Sequence, residues 1–463
     1  MKKFNRRVLV FAMSFAFLLS GCGENKVEEI SDYGTTAKTG QAKEKDTGKS
    51  EEETGLATEG VTGEKTSVLP EEQLGGDSLW QSNFTVNGKP VEVNITNLYK
   101  GQNTLRAQKL KGFSDINEVK ASEEAVVKNF FGTTAKEVKR EISKANGDAQ
   151  DICFGIRSIL ISYPEYADAI KVNGDDITVP GWVDDDSFYY HIYEGTYMNA
   201  ECEFLYGYDI YGGIKYLALF SKNPGDIVGA PECDDSYIID VRQDGIPYYL
   251  NGKNVTTDLP NRTESSIDAL KEKTSEFLME TLSVNVNPED ITSLRNYADT
   301  GYAVQNEIVY FPSSEERSKD LNGFVRDGYQ LDYSLTGQIY SFAVNGNNRG
   351  YFMVTDNGVT GFYLELCFEP GEELAEQVQI LKFEDMMSVF ESTIKNEFDA
   401  SKINGQKLSF STAELILFPM QSEDNSHEYT LIPAWCFVGE SNGEVGEVFI
   451  NAIDGSCINI VYW

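Results

Sequence analysis

The second half of the chain repeats one order of elements, an amphipathic helix followed by several short strands. The first helix opens near Ser265, has Asp268 three residues later and carries Ile267, Leu270, Phe277 and Leu278 on one face. The second carries Phe383, Met387, Phe390, Ile394 and Phe398. Strand patterns follow the first helix at 338–344, 350–355 and 361–368, and the second at 414–418, 429–438, 445–452 and 457–462. Because a striped helix and a one-faced sheet bury each other, two α+β units are predicted, over 262–370 and 380–463.

The preceding region, 79–260, also has the pattern of an α+β domain. Residues 84–98 alternate as two strands around a turn at Asn87-Gly88. Helices are expected over 123–131, after Ser122 and before Gly132, and from Thr134 to residue 143, because Glu137 lies at capping-box spacing. Short apolar runs between 172 and 258 predict strands without the alternation of a parallel sheet. The fold class predicted is α+β, with several antiparallel sheets and packed helices.

Residues 1–21 have the pattern of an export signal. Lysines and arginines precede the apolar run 8–19, and Leu19-Ser20-Gly21 precede Cys22. The run is too short to span about 30 Å of hydrocarbon. The motif resembles the lipobox of bacterial lipoproteins. This resemblance implies a signal peptide over 1–21, lipidation of Cys22 (by palmitate or a similar acyl chain), and anchoring to the extracytoplasmic side of the cell membrane.

The segment from 22 to 78 predicts a disordered acidic tether. It consists mainly of Glu, Lys, Thr and Gly, and Tyr33 is its only aromatic residue. A segment with so little apolar surface cannot offset the entropy lost on folding.

The charge balance restricts the partners. The chain has 39 Lys and Arg residues against 74 Asp and Glu residues, a net charge of −35. Such a surface repels nucleic acid, so none is expected as a partner, and the membrane is expected to be contacted through the N-terminal lipid. The remaining partner classes are a membrane or wall protein, and cell-wall glycan or peptide.

The six cysteines other than Cys22 leave two interpretations open. An extracytoplasmic location permits disulfides, and Cys436 and Cys457 form the pair to test first because both fall in neighbouring C-terminal strand patterns. Alternatively, the thiols are free and pack as small apolar groups.

No catalytic residue, metal ligand or cofactor is predicted. His191 and His427 lie in different predicted domains, and no G-x-S-x-G motif occurs. Ser392 and Lys395 match S-x-x-K, but the partner motifs of penicillin-recognising enzymes are absent or misplaced.

A dense run of aromatic residues between 182 and 211 is the remaining candidate for ligand binding. The candidate residues are Trp182, Tyr189, Tyr190, Tyr193, Tyr208 and Tyr211. Tyrosine and tryptophan offer a large contact area and a polar group, as a sugar- or peptide-binding face would require. The alternative is that these residues fill the two faces of a sheet.

The C-terminal segment 448–458, Val-Phe-Ile-Asn-Ala-Ile-Asp-Gly-Ser-Cys-Ile, resembles the closing hairpin of PepSY-like domains, and Pro433-Ala434-Trp435 fit the preceding strand. Asn451 stands where such domains often have aspartate. The mature chain also resembles the large uncharacterised lipoproteins of anaerobic Gram-positive bacteria. These resemblances imply a regulator that binds or inhibits peptidases or contacts membrane sensor proteins.

The function expected is therefore that of a membrane-anchored extracytoplasmic lipoprotein acting as a non-catalytic binding or regulatory protein. Two alternatives stay open: a hydrolase of cell-wall glycan or peptide, which needs a pocket with a perturbed carboxylate, and a solute-capture lipoprotein, which needs two lobes around one cleft.

Overall fold

A computed structural model describes the chain in segments. The described residues are 63–73, 75–100, 104–113, 115–161, 163–173, 176–185, 188–210, 212–223, 227, 237–241, 249–250, 253–254, 264–292, 294–298, 304–310, 329–335, 347–402, 407–422, 425, 427–441 and 444–462.

The helices and strands are numbered in chain order. The α-helices are α1 Ile116–Phe131, α2 Gln150–Leu160, α3 Pro164–Ala167, α4 Ile267–Phe277 and α5 Phe383–Glu397. The strands are β1 Lys65–Thr66, β2 Trp80–Val86, β3 Lys89–Lys100, β4 Ala107–Gly112, β5 Lys136–Glu137, β6 Glu141–Ser143, β7 Lys171–Asn173, β8 Asp176–Pro180, β9 Trp182–Asp184, β10 Phe188–Tyr197, β11 Ala200–Asp209, β12 Ile214–Ser221, β13 Tyr237–Val241, β14 Tyr249–Leu250, β15 Lys253–Asn254, β16 Ile291–Thr292, β17 Leu294–Ala298, β18 Val304–Tyr310, β19 Tyr329–Ser334, β20 Arg349–Thr355, β21 Gly358–Leu366, β22 Phe368–Ala375, β23 Ile380–Leu381, β24 Leu408–Gln421, β25 Glu428–Ser441, β26 Glu444–Asn451 and β27 Cys457–Val461.

The chain forms two compact units, and the predicted α+β class is confirmed. Of the described residues, the first unit holds those in Leu110–Gly371 and Asp424–Tyr429. The second unit holds those in Asn25–Lys109, Glu372–Glu423 and Thr430–Trp463. These units differ from the predicted ranges 79–260, 262–370 and 380–463, because β2 and β3 belong to the C-terminal sheet and β19 to β21 continue the sheet of β10 to β12.

The first unit is built on an antiparallel sheet in the order β13-β18-β19-β20-β21-β12-β11-β10-β5. Helices cover both faces of β10 to β12. Alternate residues of a strand point to opposite faces, so Phe188, Tyr190 and Ile192 pack with α2 in one buried cluster. On the opposite face the α1 residue Phe130 lies 4.8 Å, centroid to centroid, from Phe204 of β11.

The second unit packs α5 on a sheet in the order β2-β3-β24-β25-β26-β27. The predicted apolar stripe forms the contact: Phe390 stacks 4.2 Å from Phe437 and meets Phe410 edge-on at 4.9 Å. Strand β3 pairs with β24 in parallel, which the expectation of purely antiparallel sheets did not include. Parallel pairing needs a long connection, and here Leu110–Gly371 of the first unit lies between the two strands along the chain.

Two turns of the second unit follow from local sequence. Asn87 and Gly88 both have positive φ, 51° and 82°, and join β2 to β3 as the Asn-Gly signal predicts. In the segment 448–458 Gly455 has φ 79°, and its N–H donates to the carbonyl of Asn451. The buried Asn451 side chain accepts from the N–H of Ile453 at 2.9 Å, so the asparagine amide oxygen supports this turn.

The end of the predicted tether is ordered. Strand β1 pairs with β23, and Gln73 exchanges backbone hydrogen bonds with Leu98. The described residues between 63 and 78 thus include backbone that pairs with β23 and β3 despite the polar composition of the segment. Residues 1–62, which include Cys22, lie outside the described residues.

Local helix signals misled the prediction in the first unit. Helix α1 begins at Ile116 with Asp115 as its N-cap and not at Ser122, and α2 was not predicted at all. The helix predicted from Thr134 does not form. The Thr134 hydroxyl donates to the Phe131 carbonyl at 2.6 Å, and Lys136 and Glu137 pair with β10. Tertiary pairing thus overrides the capping-box spacing. The strand pattern predicted at 338–344 lies outside the described residues.

Candidate functional site

The aromatic residues proposed as a ligand-binding face are distributed over both faces of the first unit's sheet. Tyr189, Tyr190 and Tyr208 are fully buried, Tyr193 is half-buried and Trp182 is 42% exposed. The hydroxyl of Tyr190 donates to the Pro180 carbonyl on the α2 side of the sheet. Tyr211 lies outside the described residues. The five described side chains therefore do not form one exposed face, and the buried tyrosines fill the sheet, as the alternative interpretation holds.

A polar pair joins α1 to β10. Nδ1 of His191 lies 2.9 Å from Oε1 of Glu123, and the Tyr193 hydroxyl donates to the same oxygen at 3.1 Å. Burial alone would lower the pKa of His191, but the hydrogen bond and the charge of Glu123 outweigh it, so the pKa is raised. His191 and Glu123 are 68 residues apart, so no local pattern connects them.

A second charged cluster lies on the α2 face. Arg140 donates two hydrogen bonds to Asp148, at 2.7 and 2.6 Å, and Ala149 N–H donates to Oε2 of Glu203 at 3.0 Å. Burial, and then the neighbouring Asp148, raise the pKa of Glu203 to about 8. Lys222 lies 3.6 Å from Oε1 of Glu203 and 2.8 Å from Oε2 of Glu194. These groups hold the first turn of α2 and β11 together, so their perturbed titration has a structural explanation.

A pocket at the start of α1 contains a buried cation. It is lined by Lys111, Gly112, Phe113, Asp115, Glu118, Val119, Ser122, Lys215 and Glu369, and we call it the Lys215 pocket. The Lys215 side chain is only 7% exposed. Its Nζ lies 5.0 Å from the ring centre of Tyr206 and 5.9 Å from that of Phe113. Among the described residues, no carboxylate oxygen lies within 4.0 Å of this ammonium.

Strand geometry explains how the lysine enters the pocket. Lys215 is paired with Tyr208 of β11 and with Leu366 of β21, so it lies in the interior of the sheet. Strand alternation places Lys215 and Leu217 on the face that α1 covers, while Tyr216 and Ala218 pack with α2. Lys215 was not among the site residues predicted from the sequence. The available signal was a single lysine at an inward position of the apolar run 214–220.

The electrostatics of the pocket follow from this placement. Burial lowers the pKa of Lys215 to about 8, and the negative charge of Glu369 opposes that shift. Three of the other charged groups have local partners: Asp115 accepts from the Asn117 N–H at 2.8 Å, and Lys111 pairs with Glu118 at 3.4 Å. The pocket therefore offers a buried ammonium, between two aromatic rings, to an incoming hydrogen-bond acceptor.

No disulfide joins Cys436 and Cys457, the pair named for the first of the two interpretations of the cysteines. Cys436 of β25 pairs with Phe449 of β26, and Cys457 of β27 pairs with Ile450 of the same strand. The cysteines are thus separated by a whole strand, about 9 to 10 Å at the usual spacing, which exceeds the Cα separation a disulfide spans. Their partners are consecutive residues, so the two side chains also point to opposite faces. The alternative of free thiols describes both.

No group of three or more metal-ligating side chains occurs within the described ranges. None of the helices in those ranges combines the length and the apolarity needed to cross a bilayer.

The fold defines the chain as an α+β protein with helices packed on several antiparallel sheets. No family model and no curated protein matches it. One similar solved structure is an uncharacterized protein from Eubacterium rectale ATCC 33656, with 10% identity over 82% of this chain and 93% of that chain and a TM-score of 0.32. Another is the Bacillus megaterium YpeB C-terminal domain, with 11% identity over 70% of this chain and 98% of that chain and a TM-score of 0.17.

Proposed function

We propose that this chain is a lipid-anchored extracytoplasmic protein that acts as a non-catalytic binding or regulatory protein, with the Lys215 pocket as its ligand site. The observation that carries the proposal is the buried ammonium of Lys215, which faces a pocket and has no carboxylate within 4.0 Å among the described residues. A cation taken out of water without a partner is unfavourable, and a ligand acceptor would offset that cost.

The other charged groups of the first unit favour binding over catalysis. His191 and Glu123 are bonded to each other between α1 and β10, and Asp148 and Glu203 hold the start of α2. These pairs lie outside the lining of the Lys215 pocket, so they are not placed to serve as its acid or base.

Anchoring through Cys22 and regulation of a membrane or wall protein complete the proposal. The lipobox supports the anchor, and the PepSY-like C-terminal segment supports a regulatory role. The tether would let the folded units reach a partner beyond the lipid headgroups.

In-cell crosslinking tests this function. The full chain is crosslinked, recovered by affinity and analysed by mass spectrometry, beside Cys22→Ala and Lys215→Met variants. We expect one membrane or wall protein to be enriched with the unchanged chain, and enrichment to be lost with Cys22→Ala and reduced with Lys215→Met. Lys139→Met, which changes an exposed lysine of the first unit outside the pocket lining, is the matched control. Enrichment of cleaved wall fragments without any protein would instead support the hydrolase alternative and overturn the proposal.

A further inference from the structure

We infer that the Lys215 pocket binds a monocarboxylate, a ligand with one negative charge and a short apolar chain. This inference rests on the binding function proposed above and names the chemical class of the ligand.

The charge of the ligand follows from the lysine. Lys215 is 7% exposed and lines the pocket, and among the described residues its ammonium contacts the faces of Tyr206 and Phe113, while Glu369 attracts it only through its charge from beyond ion-pair distance. Cation–π contacts replace part of the lost hydration but provide no hydrogen-bond acceptor. A carboxylate oxygen would provide the acceptor and the opposite charge together, in a site where burial strengthens their attraction.

The lining restricts the ligand to a single charge. Three carboxylates border the pocket, those of Asp115, Glu118 and Glu369, against the two lysines. A phosphate dianion would meet this acidic rim with twice the repulsion of a carboxylate and would still find only one buried cation. A monocarboxylate neutralises Lys215 with the smallest unfavourable interaction with the rim.

The volume and the walls of the pocket restrict the carbon chain of the ligand. The cavity measures about 90 Å³, and an apolar cavity of about 150 Å³ accommodates benzene in another protein. A carboxylate with a chain of one to three carbons therefore fits, as in a free short-chain acid or in the side chain of a glutamate. The aromatic ring of Phe113 and the side chain of Val119 provide the apolar walls for that chain.

Ligand-observed NMR on the full chain in detergent tests this inference. The probes are propionate, its neutral isostere propionamide, inorganic phosphate, and an Ala-Glu-Ala peptide with blocked ends. At pH 7 we expect propionate to bind at least tenfold more tightly to the unchanged chain than to Lys215→Met. Binding to Lys139→Met, which changes an exposed lysine of the first unit outside the pocket lining, should stay within about twofold of the unchanged chain. Propionamide and phosphate should bind at least tenfold more weakly than propionate.

The peptide distinguishes the two sources of the carboxylate. Tighter binding of the peptide than of propionate, lost in Lys215→Met, would identify the acidic side chain of a protein as the ligand. Tighter binding of propionate would identify a free acid. Both results support the carboxylate class.

A pH titration of the unchanged chain keeps the test valid if Lys215→Met fails to fold. With the pKa of Lys215 at about 8, propionate binding should weaken about tenfold between pH 7 and pH 9. The other titratable and charged groups at the pocket are Lys111, Asp115, Glu118 and Glu369, together with Tyr206, whose pKa is raised by burial.

Two results would overturn the inference, and they have different meanings. Equal binding of propionamide and propionate, both dependent on Lys215, would reject the carboxylate class but leave the proposed binding site intact. Binding of none of the probes would reject the pocket as a site for small acceptors, while the crosslinking experiment would still decide the regulatory function independently.

Discussion

Replacing Lys215 with methionine should stabilise the first unit at neutral pH, although it removes the residue proposed to bind the ligand. The ammonium is buried between β12 and α1, without a carboxylate partner among the described residues. Methionine has a similar length and keeps the apolar contacts of the lysine stem, but it brings no charge into the interior.

The magnitude follows from the pKa of the lysine. Burial lowers it from 10.5 to about 8, and each unit corresponds to about 1.4 kcal/mol. The charged form is therefore disfavoured in the folded unit by about 3 kcal/mol. The methionine variant loses the cation–π contacts with the rings of Tyr206 and Phe113, which offsets about 0.5 to 2 kcal/mol of the gain from removing the buried charge. We expect the unfolding free energy of Lys215→Met to exceed that of the unchanged chain by about 1 to 3 kcal/mol at pH 7.

The pH dependence provides the internal check. Between about pH 8 and pH 10.5 the unfolded chain binds a proton at Lys215 that the folded unit does not, so the stability of the unchanged chain rises with pH in this window. The variant lacks this contribution, and its advantage should disappear by about pH 10.5. Urea unfolding followed by hydrogen exchange of peptides from β10, β11 and β12 measures the effect within the first unit, with Lys111→Met as the exposed control.

A destabilised Lys215→Met variant at pH 7 would contradict this reasoning. So would an advantage that is equal at pH 7 and pH 10.5, because it would show that the lysine carries no buried charge in the folded unit.

Three further predictions concern other parts of the first unit. Burial raises the pKa of Glu203 to about 8 in the folded unit. This group therefore stabilises the folded unit fully below the pKa of the carboxyl in the unfolded chain, and the stabilisation is lost as the pH rises toward 8. Glu203→Gln should reduce this loss of stability between pH 5 and pH 8, measured by urea unfolding at both pH values. Glu123→Gln should lower the pKa of His191, because burial then lacks its opposing charge, and NMR titration of the histidine ring resonances measures the change; an unaltered pKa would rule out the pair. Gly195→Ala should destabilise the unit by about 1 to 3 kcal/mol in thermal unfolding, because the added Cβ would lie 2.4 Å from Cγ of Phe131. An unchanged unfolding midpoint would mean that α1 can shift at no cost.

Periodicity predicted the elements whose partners lie close along the chain. The apolar stripe of α5 and the strands β24 to β27 that follow it were placed correctly, because a helix face and adjacent hairpins are encoded in spacings of 3.6 and 2 residues. The Asn87-Gly88 turn was correct for a local reason as well, since two consecutive positive φ angles favour these residues.

The candidate site was harder to predict from the sequence. Lys215 is an ordinary lysine in an apolar run until α1, about 90 positions earlier, covers its face of the sheet. The tyrosines from Tyr189 to Tyr208 illustrate the converse case. Their composition suggested an exposed binding face, but in the sheet with β9, β11 and β12, Tyr189, Tyr190 and Tyr208 are buried.

The sequence by itself thus determined the α+β class, the helix stripes and the acidic surface, because these depend on composition and on local periodicity. The tertiary structure decided which segments share a sheet, which tyrosines are buried, that Cys436 and Cys457 are a strand apart, and where a lysine lacks a partner among the described residues. These outcomes depend on contacts between residues far apart in the chain. Burial changes the free energy of a side chain only once those distant residues have packed around it.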